Sequence, residues 1–204
     1  MARIPINPGT IDWSGENPGM YLKDKADGPY VTLISYLRVV HSQHGKGHAA
    51  FMLLDPYGDG KDPKKPNVCL TDNEPLAGYV KKGFVTYFGA FKGATGLANL
   101  QVKPAWDFMA GGDGSSVHTE WFRSAIGQVQ LSWNKLGAPF LVEFDKERSA
   151  TGKHEMISLF VDSRVCGATI NGSPVAGHAF PREFAGKKDS STAFLAFSET
   201  WVKA

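Results

Sequence analysis

Three of the chain's six histidines fall within eight residues, in the run His41-Ser-Gln-His44-Gly-Lys-Gly-His48. If His41 and His48 flank a hairpin with His44 at its tip, neutral imidazoles can ligate one divalent transition metal ion, such as zinc, nickel or copper, and leave a position for water. The spacing is neither H-E-x-x-H nor H-x-H, and the same residues also describe a polar, glycine-rich surface turn.

A second constellation is Ser115-Ser-Val-His118-Thr-Glu120-Trp-Phe-Arg123-Ser-Ala. On a strand, His118, Glu120, Phe122 and Ser124 share one face, and Thr119, Trp121 and Arg123 share the other. Two residues of strand rise place His118 and Glu120 about 7 Å apart, close enough to form an acid–base couple. His118 would be the base or acid and Glu120 its tuner. An arginine, Arg123 or in reserve Arg38, would hold a carboxylate or enolate oxygen. Tyr36, Trp121, Phe122 and Trp133 are the expected ligand-lining side chains. The competing parity sends Trp121 to the core and turns the pair to solvent, and it is the more ordinary one. It would bury Arg123, which then needs an anionic partner.

Other ionisable residues interrupt apolar runs. Glu143 breaks Phe140-Leu-Val-Glu-Phe144, and Asp162 shares a face with Met156 and Phe160. Glu199 shares strand parity with Ala193, Leu195 and Phe197. Arg38 sits in an apolar strand, where pairing with one of these carboxylates is an alternative to chemistry. Lys81 and Lys82 are adjacent, but on a helix they diverge by about 100°. The segment Asp55–Asp62 lacks the register and the distal Glu of a calcium loop. Residues 110–114 form a glycine cluster that is not a phosphate-binding motif. No G-x-S-x-G or C-x-x-C occurs.

The elements that must position these residues are mostly strands. Residues 1–28, rich in Pro and Gly, read as an irregular arm anchored by Trp13, Met20 and Tyr21, with residues 29–204 as one β domain. Tyr30–Val40 and His48–Asp55 alternate as strands around a short hairpin loop. Thr71 and Glu74 have capping-box spacing, Lys81 and Lys82 suit a last turn, and Gly83 suits a left-handed stop, predicting a helix over 73–82. Strand patterns then recur at 83–91, 99–106, 116–126, 128–133, 140–145, 154–162, 165–170, 174–180 and 191–202. Asn171-Gly172 marks a type I′ hairpin.

Several strands are apolar on both faces, which demands a second layer. With 13 Phe, 5 Trp and 6 Tyr, the pattern predicts an antiparallel barrel of about eight to ten strands around an apolar cavity. In general architecture this resembles lipocalin-like barrels, without a lipocalin sequence signature.

The chain has 204 residues and a net charge of +2. That balance, with no basic stripe of interleaved aromatics, argues against nucleic acid as a partner. No apolar run is long enough to cross a membrane, and no signal segment is visible, so the expected address is the cytoplasm. Cys69 and Cys166 read as free thiols in apolar runs.

The expected function is binding of a small apolar or amphipathic molecule in a barrel cavity. Cofactor-independent acid–base conversion of a lyase, isomerase or decarboxylase type is a possible addition. The alternatives are a metal-dependent protein using His41, His44 and His48, and a non-catalytic homodimeric interaction module.

Overall fold

Alternating residues form strands over more than half of the chain, and the strands close into a nine-stranded barrel with one short helix. The computed structural model describes residues 9–203. The first six strands are β1 (Thr10–Glu16), β2 (Gly19–Lys23), β3 (Tyr30–Ser42), β4 (Gly47–Leu53), β5 (Asn67–Thr71) and, after helix α1 (Glu74–Gly83), β6 (Gln101–Gly112). They are followed by β7 (Val117–Ser124), β8 (Gly127–Leu136), β9 (Phe140–Phe144), β10 (His154–Ile170) and β11 (Ser173–Pro174). A separate hairpin, β12 (Pro181–Phe184) with β13 (Lys187–Ser191), precedes β14 (Ala193–Lys203).

The ring runs β14–β2–β3–β4–β5–β6–β7–β8–β10 and closes from β10 to β14. Its neighbouring pairs are antiparallel except β5–β6. A parallel pair needs a crossover, and α1 with the turns behind it supplies one. Asn73 caps α1 by accepting the Leu76 N–H on its side-chain oxygen at 3.1 Å. Thr71, the residue with capping-box spacing, instead donates to the His48 carbonyl at 2.6 Å. Gly83 stays helical, and the Phe84 N–H closes the end on the Val80 carbonyl.

Where the sequence suggests an irregular arm, residues 10–23 form strands β1 and β2, while residues 1–8 lie outside the described residues. Together the two strands fill one position between β3 and β14, interrupted at Asn17-Pro18. The glycines that hide this pattern permit close packing: a Cβ at Gly15 would collide with the Arg38 carbonyl oxygen. Trp13, Met20 and Tyr21 are buried, as anchors should be.

Residues 83–91 are not a strand but the helix end, a 3-10 turn at Val85–Tyr87 and further turns. Their buried residues, Phe84, Val85, Phe88 and Phe91, follow helical rather than alternating spacing. Residues 174–180 are mostly loop, and the two runs at 154–162 and 165–170 are a single 17-residue strand, β10. The Asn171-Gly172 turn has both residues at positive φ, 51° and 78°, as type I′ requires.

Two apolar cores explain the two-sided strands. One fills the barrel with side chains that include Tyr36, Met52, Phe122, Leu131 and Trp133. The other lies outside the wall, where α1 and residues 84–97 cover Leu37, Phe51 and Cys69.

Candidate binding site

Of the residues that the sequence selects, His118, Glu120, Phe122, Tyr36 and Trp133 are buried on the inner side of the barrel wall. The more ordinary parity for β7 is thus reversed. His118 Nε2 lies 3.0 Å from Glu120 Oε1, and the same oxygen accepts a hydrogen bond from Arg38 Nη2 at 2.6 Å. Arg38 also reaches Glu16 at 3.5 Å. Burial works against the Arg38 charge, and the Glu120 and Glu16 carboxylates overcome it, raising its pKa. Tyr36 is raised by burial and by the Glu120 charge, so it stays a neutral phenol. Trp133 donates its indole N–H to the Gly19 carbonyl at 3.1 Å, which makes it a structural tie.

Arg123 does not join this cluster. It lies on the outer face of β7, 59% exposed, 3.5 Å from Asp107 and 5.6 Å above the ring of half-buried Trp121. Trp121 shields the outer wall, and the inner face belongs to Phe122. Side chains fill the barrel here, so the polar cluster reads as a buried ion-pair network at one end of the ring. The opposite end is a hollow of about 810 Å³ with Leu54 and Ile170 in its lining and Lys61, Lys64, Lys65 and Lys103 around it.

The histidine run does not converge. His41 is exposed, His44 packs on Tyr79 at 4.9 Å, and His48 Nδ1 pairs with Asp72 at 2.7 Å while stacking on Phe108. Among the described residues no group of three or more His, Cys, Asp or Glu could hold a metal ion. The hairpin's strands send these imidazoles to different neighbours. Glu143 is exposed. Asp162 is buried on the outer face of the wall and occupied: it accepts from Lys187 and Ser190 at 2.6 Å each and from the Ser191 N–H at 3.0 Å. Both cysteines are free.

The richest chemistry lies outside the ring. A cavity of about 190 Å³ sits between the outer wall, formed by β2, β10 and β14, and a cover formed by the β12–β13 hairpin and residues 88–90. Its lining is aromatic: Tyr21, Phe88, Phe144, Phe160, Phe184, Phe194 and Trp201. Besides the Tyr21 phenol, two side chains that can carry charge at neutral pH line it, Arg182 from β12 and Glu199 from β14.

Glu199 reaches the cavity through a bulge. Along β14, Ala193 and Leu195 face the barrel interior, whereas Phe194 and Ala196 face outward. Ile157 pairs with Thr200 but Leu159 pairs with Phe197, so β14 carries an extra residue, and Ser198 sits at φ 51°. A bulge of this kind re-aims the side chains beyond it. Glu199 and Trp201 therefore join the outer face. Strand parity alone places Glu199 with Leu195, on the wrong side of the wall.

Glu199 is 3% exposed. Its Oε1 accepts from Trp201 Nε1 at 2.7 Å and from Asn17 Nδ2 at 3.4 Å. Burial pushes its carboxyl up to about 7, against the pull of those two donors. The Arg182 guanidinium lies 4.6 Å from the Phe184 ring centre, 4.9 Å from Phe194 and 5.6 Å from Tyr21. Its Nε and Nη2 are buried with no hydrogen-bond partner, and burial lowers its pKa. Ring contacts of about 0.5–2 kcal/mol each offset only part of a desolvation penalty of several kcal/mol. Arg182 escapes a sequence reading that looks for charges inside strands. Its signal is a cation set between Phe180 and Phe184 in a short aromatic run.

Fold and site together define a closed nine-stranded barrel with an aromatic, ionisable cavity on its outer wall. No protein-family model matches the chain, no curated protein matches it in sequence, and no solved structure matches it in fold. Among the described residues no helix is long and apolar enough to cross a membrane.

Proposed function

We propose that this protein binds a small organic molecule, and that the binding site is the aromatic cavity on the barrel wall rather than the barrel interior. The observation that carries the reading is the cavity itself, an aromatic space of about 190 Å³ outside the ring that Arg182 and Glu199 also line. Buried charges in folded proteins are ordinarily paired, and an unpaired one is costly. A bound molecule would fill the aromatic space and place acceptor groups beside the Arg182 charge.

A fluorobenzene titration followed by ¹⁹F NMR tests cavity binding without involving any charge. The expected result is saturable line shifts that Gly89→Phe abolishes. Gly89 lines the cavity at its exposed rim, and a Cβ there meets nothing within 4 Å, so a ring added at that position meets no backbone clash and can close the rim. Unsaturable shifts, or shifts that survive in a folded Gly89→Phe variant, would overturn the proposal.

Turnover is a second reading, and it rests on Glu199. A carboxyl with a pKa near 7 in a water-poor pocket has the value that a general acid or base needs at neutral pH. The acid–base role expected of His118 then passes to Glu199, in a cofactor-independent lyase or isomerase type of conversion.

A further inference from the structure

We propose that the hollow end of the barrel is a second site, independent of the aromatic cavity, for a soluble aliphatic phosphate monoester. Lys64, Lys65 and Lys103 would hold the phosphate, and the aliphatic lining would hold the chain.

At about 810 Å³ the hollow has the size of a small-molecule site. Val31, Leu54, Ile126, Ile170 and Val175 supply its apolar lining, and no aromatic side chain lines it among the described residues. A nucleobase would find no ring to stack on there, whereas an alkyl chain needs none.

Lys103 is a strand residue turned inward. On β6 it shares a face with Ala105, which belongs to the core inside the ring. It also lies in register with Leu70 of the parallel strand β5, another residue of that core. The inner face of β6 thus changes from apolar to cationic where the hollow begins. Lys103 is half-buried, and its ammonium has no partner among the described residues.

The other cations come from the β4–β5 loop. Lys61 is neutralised by Asp59 at 2.9 Å. Lys64 and Lys65 stand between Pro63 and Pro66 on a turn that its backbone holds. The Lys64 N–H donates to Asp62 Oδ1 at 2.9 Å and the Lys65 N–H to the Asp62 carbonyl at 2.9 Å. The Pro66 carbonyl accepts from the Leu54 N–H at 3.3 Å. Their ammonium groups, like that of Lys103, have no partner among the described residues.

Against these three free ammonium groups the lining sets one carboxylate, Asp24. The surplus of positive charge exceeds what a monocarboxylate neutralises. It matches a phosphate monoester, which carries about −1.5 to −2 near neutral pH. Lysine meets phosphate as a point charge, so no fixed fork geometry is required of the loop.

Isothermal titration at pH 7.5 with hexyl phosphate, ethyl phosphate and hexanoate tests the assignment. Each fully buried methylene strengthens binding about fourfold, so hexyl phosphate is expected to bind at least tenfold more tightly than ethyl phosphate. It should also exceed hexanoate at least tenfold. Lys103→Met should remove most of the preference for phosphate over carboxylate. Ile170→Thr should narrow the ratio of hexyl to ethyl phosphate.

Equal binding of the two phosphates would mean that the aliphatic lining is not used, and equal binding of hexyl phosphate and hexanoate would remove the phosphate assignment. No saturable binding of any of the three would overturn the site. A phosphate preference that survives in a folded Lys103→Met variant would place the anion elsewhere and overturn it too. If that variant does not fold, the double variant Lys64→Gln, Lys65→Gln on the exposed loop takes its place, with the same loss expected. A lipid headgroup offers the same chemistry. Sedimentation with phosphatidylcholine vesicles containing phosphatidate, without binding of hexyl phosphate, would make this end a membrane-docking surface and overturn the small-molecule assignment.

Discussion

At the residue scale, Glu199 makes stability depend on pH in an unusual direction. Its folded pKa of about 7 lies above the ordinary glutamate value of 4.5. The folded state therefore holds the proton more tightly than the unfolded chain. This contribution is fully present below about pH 4.5 and is lost as pH rises through about 7. For so deeply buried a group the span corresponds to about 3 kcal/mol. Glu199→Gln cannot ionise, so its stability relative to the parent, by urea unfolding, should rise from pH 5 to pH 8 by an amount of that order. A pH-independent difference would mean that the carboxyl is hydrated. The sequence makes the His118–Glu120 pair legible because two residues of strand spacing are unambiguous. It cannot say which face is inside, and the apolar weight of Trp121 points the wrong way. Arg182 is legible only as a cation between Phe180 and Phe184, and its packing against Tyr21 and Phe194 is not, because those rings come from other strands.

At the element scale, α1 shows how one cap does two jobs. Asn73 Oδ1 takes the Leu76 N–H, while its Nδ2 donates to the His44 and Lys46 carbonyls at 3.0 and 3.1 Å. The helix start is thus tied to the β3–β4 hairpin. Asn73→Ala is expected to cost about 1–2 kcal/mol, the upper part of the range for a lost cap, because two carbonyl contacts go with it. A thermal melt alongside Asn73→Asp, which keeps the cap but not the amide donors, separates the two contributions. The helix was readable from its charges and flanking signals, though not the identity of its cap. The strands at 10–16 and 19–23 were not, because glycines there serve close backbone packing and dilute the alternation. The β14 bulge carries no signal of its own in the run Phe197-Ser-Glu-Thr. Only pairing with β10 reveals it.

At the scale of the molecule, closure depends on partners at opposite ends of the described chain. Trp13 of β1 pairs in register with Trp201 of β14, their rings stacked at 6.3 Å. Barrels dominated by such distant pairings fold on the order of milliseconds to seconds. Stopped-flow refolding monitored by tryptophan fluorescence should show a phase in that range, and its amplitude should fall in Trp13→Phe. If Trp13→Phe leaves all amplitudes unchanged, those rings do not report closure. The class of fold was legible from period-two runs and turn residues. The closing pairs were not, since alternation says that a strand exists but not which strand it meets.

The position of the cavity separates two motions that a calyx-type barrel must combine. A ligand held inside a ring can leave only through its mouth or by parting its strands. Here side chains fill the ring at its His118–Glu120 end, and the aromatic cavity lies outside it, under residues 88–90 and a two-stranded hairpin anchored to the wall at Asp162. On the proposed binding reading, traffic in and out would need only that cover to move. A guest bound there would exchange while the hydrogen-bonded hoop beneath stays whole, so its residence time would be set by a few contacts at the cover, independently of the stability of the barrel.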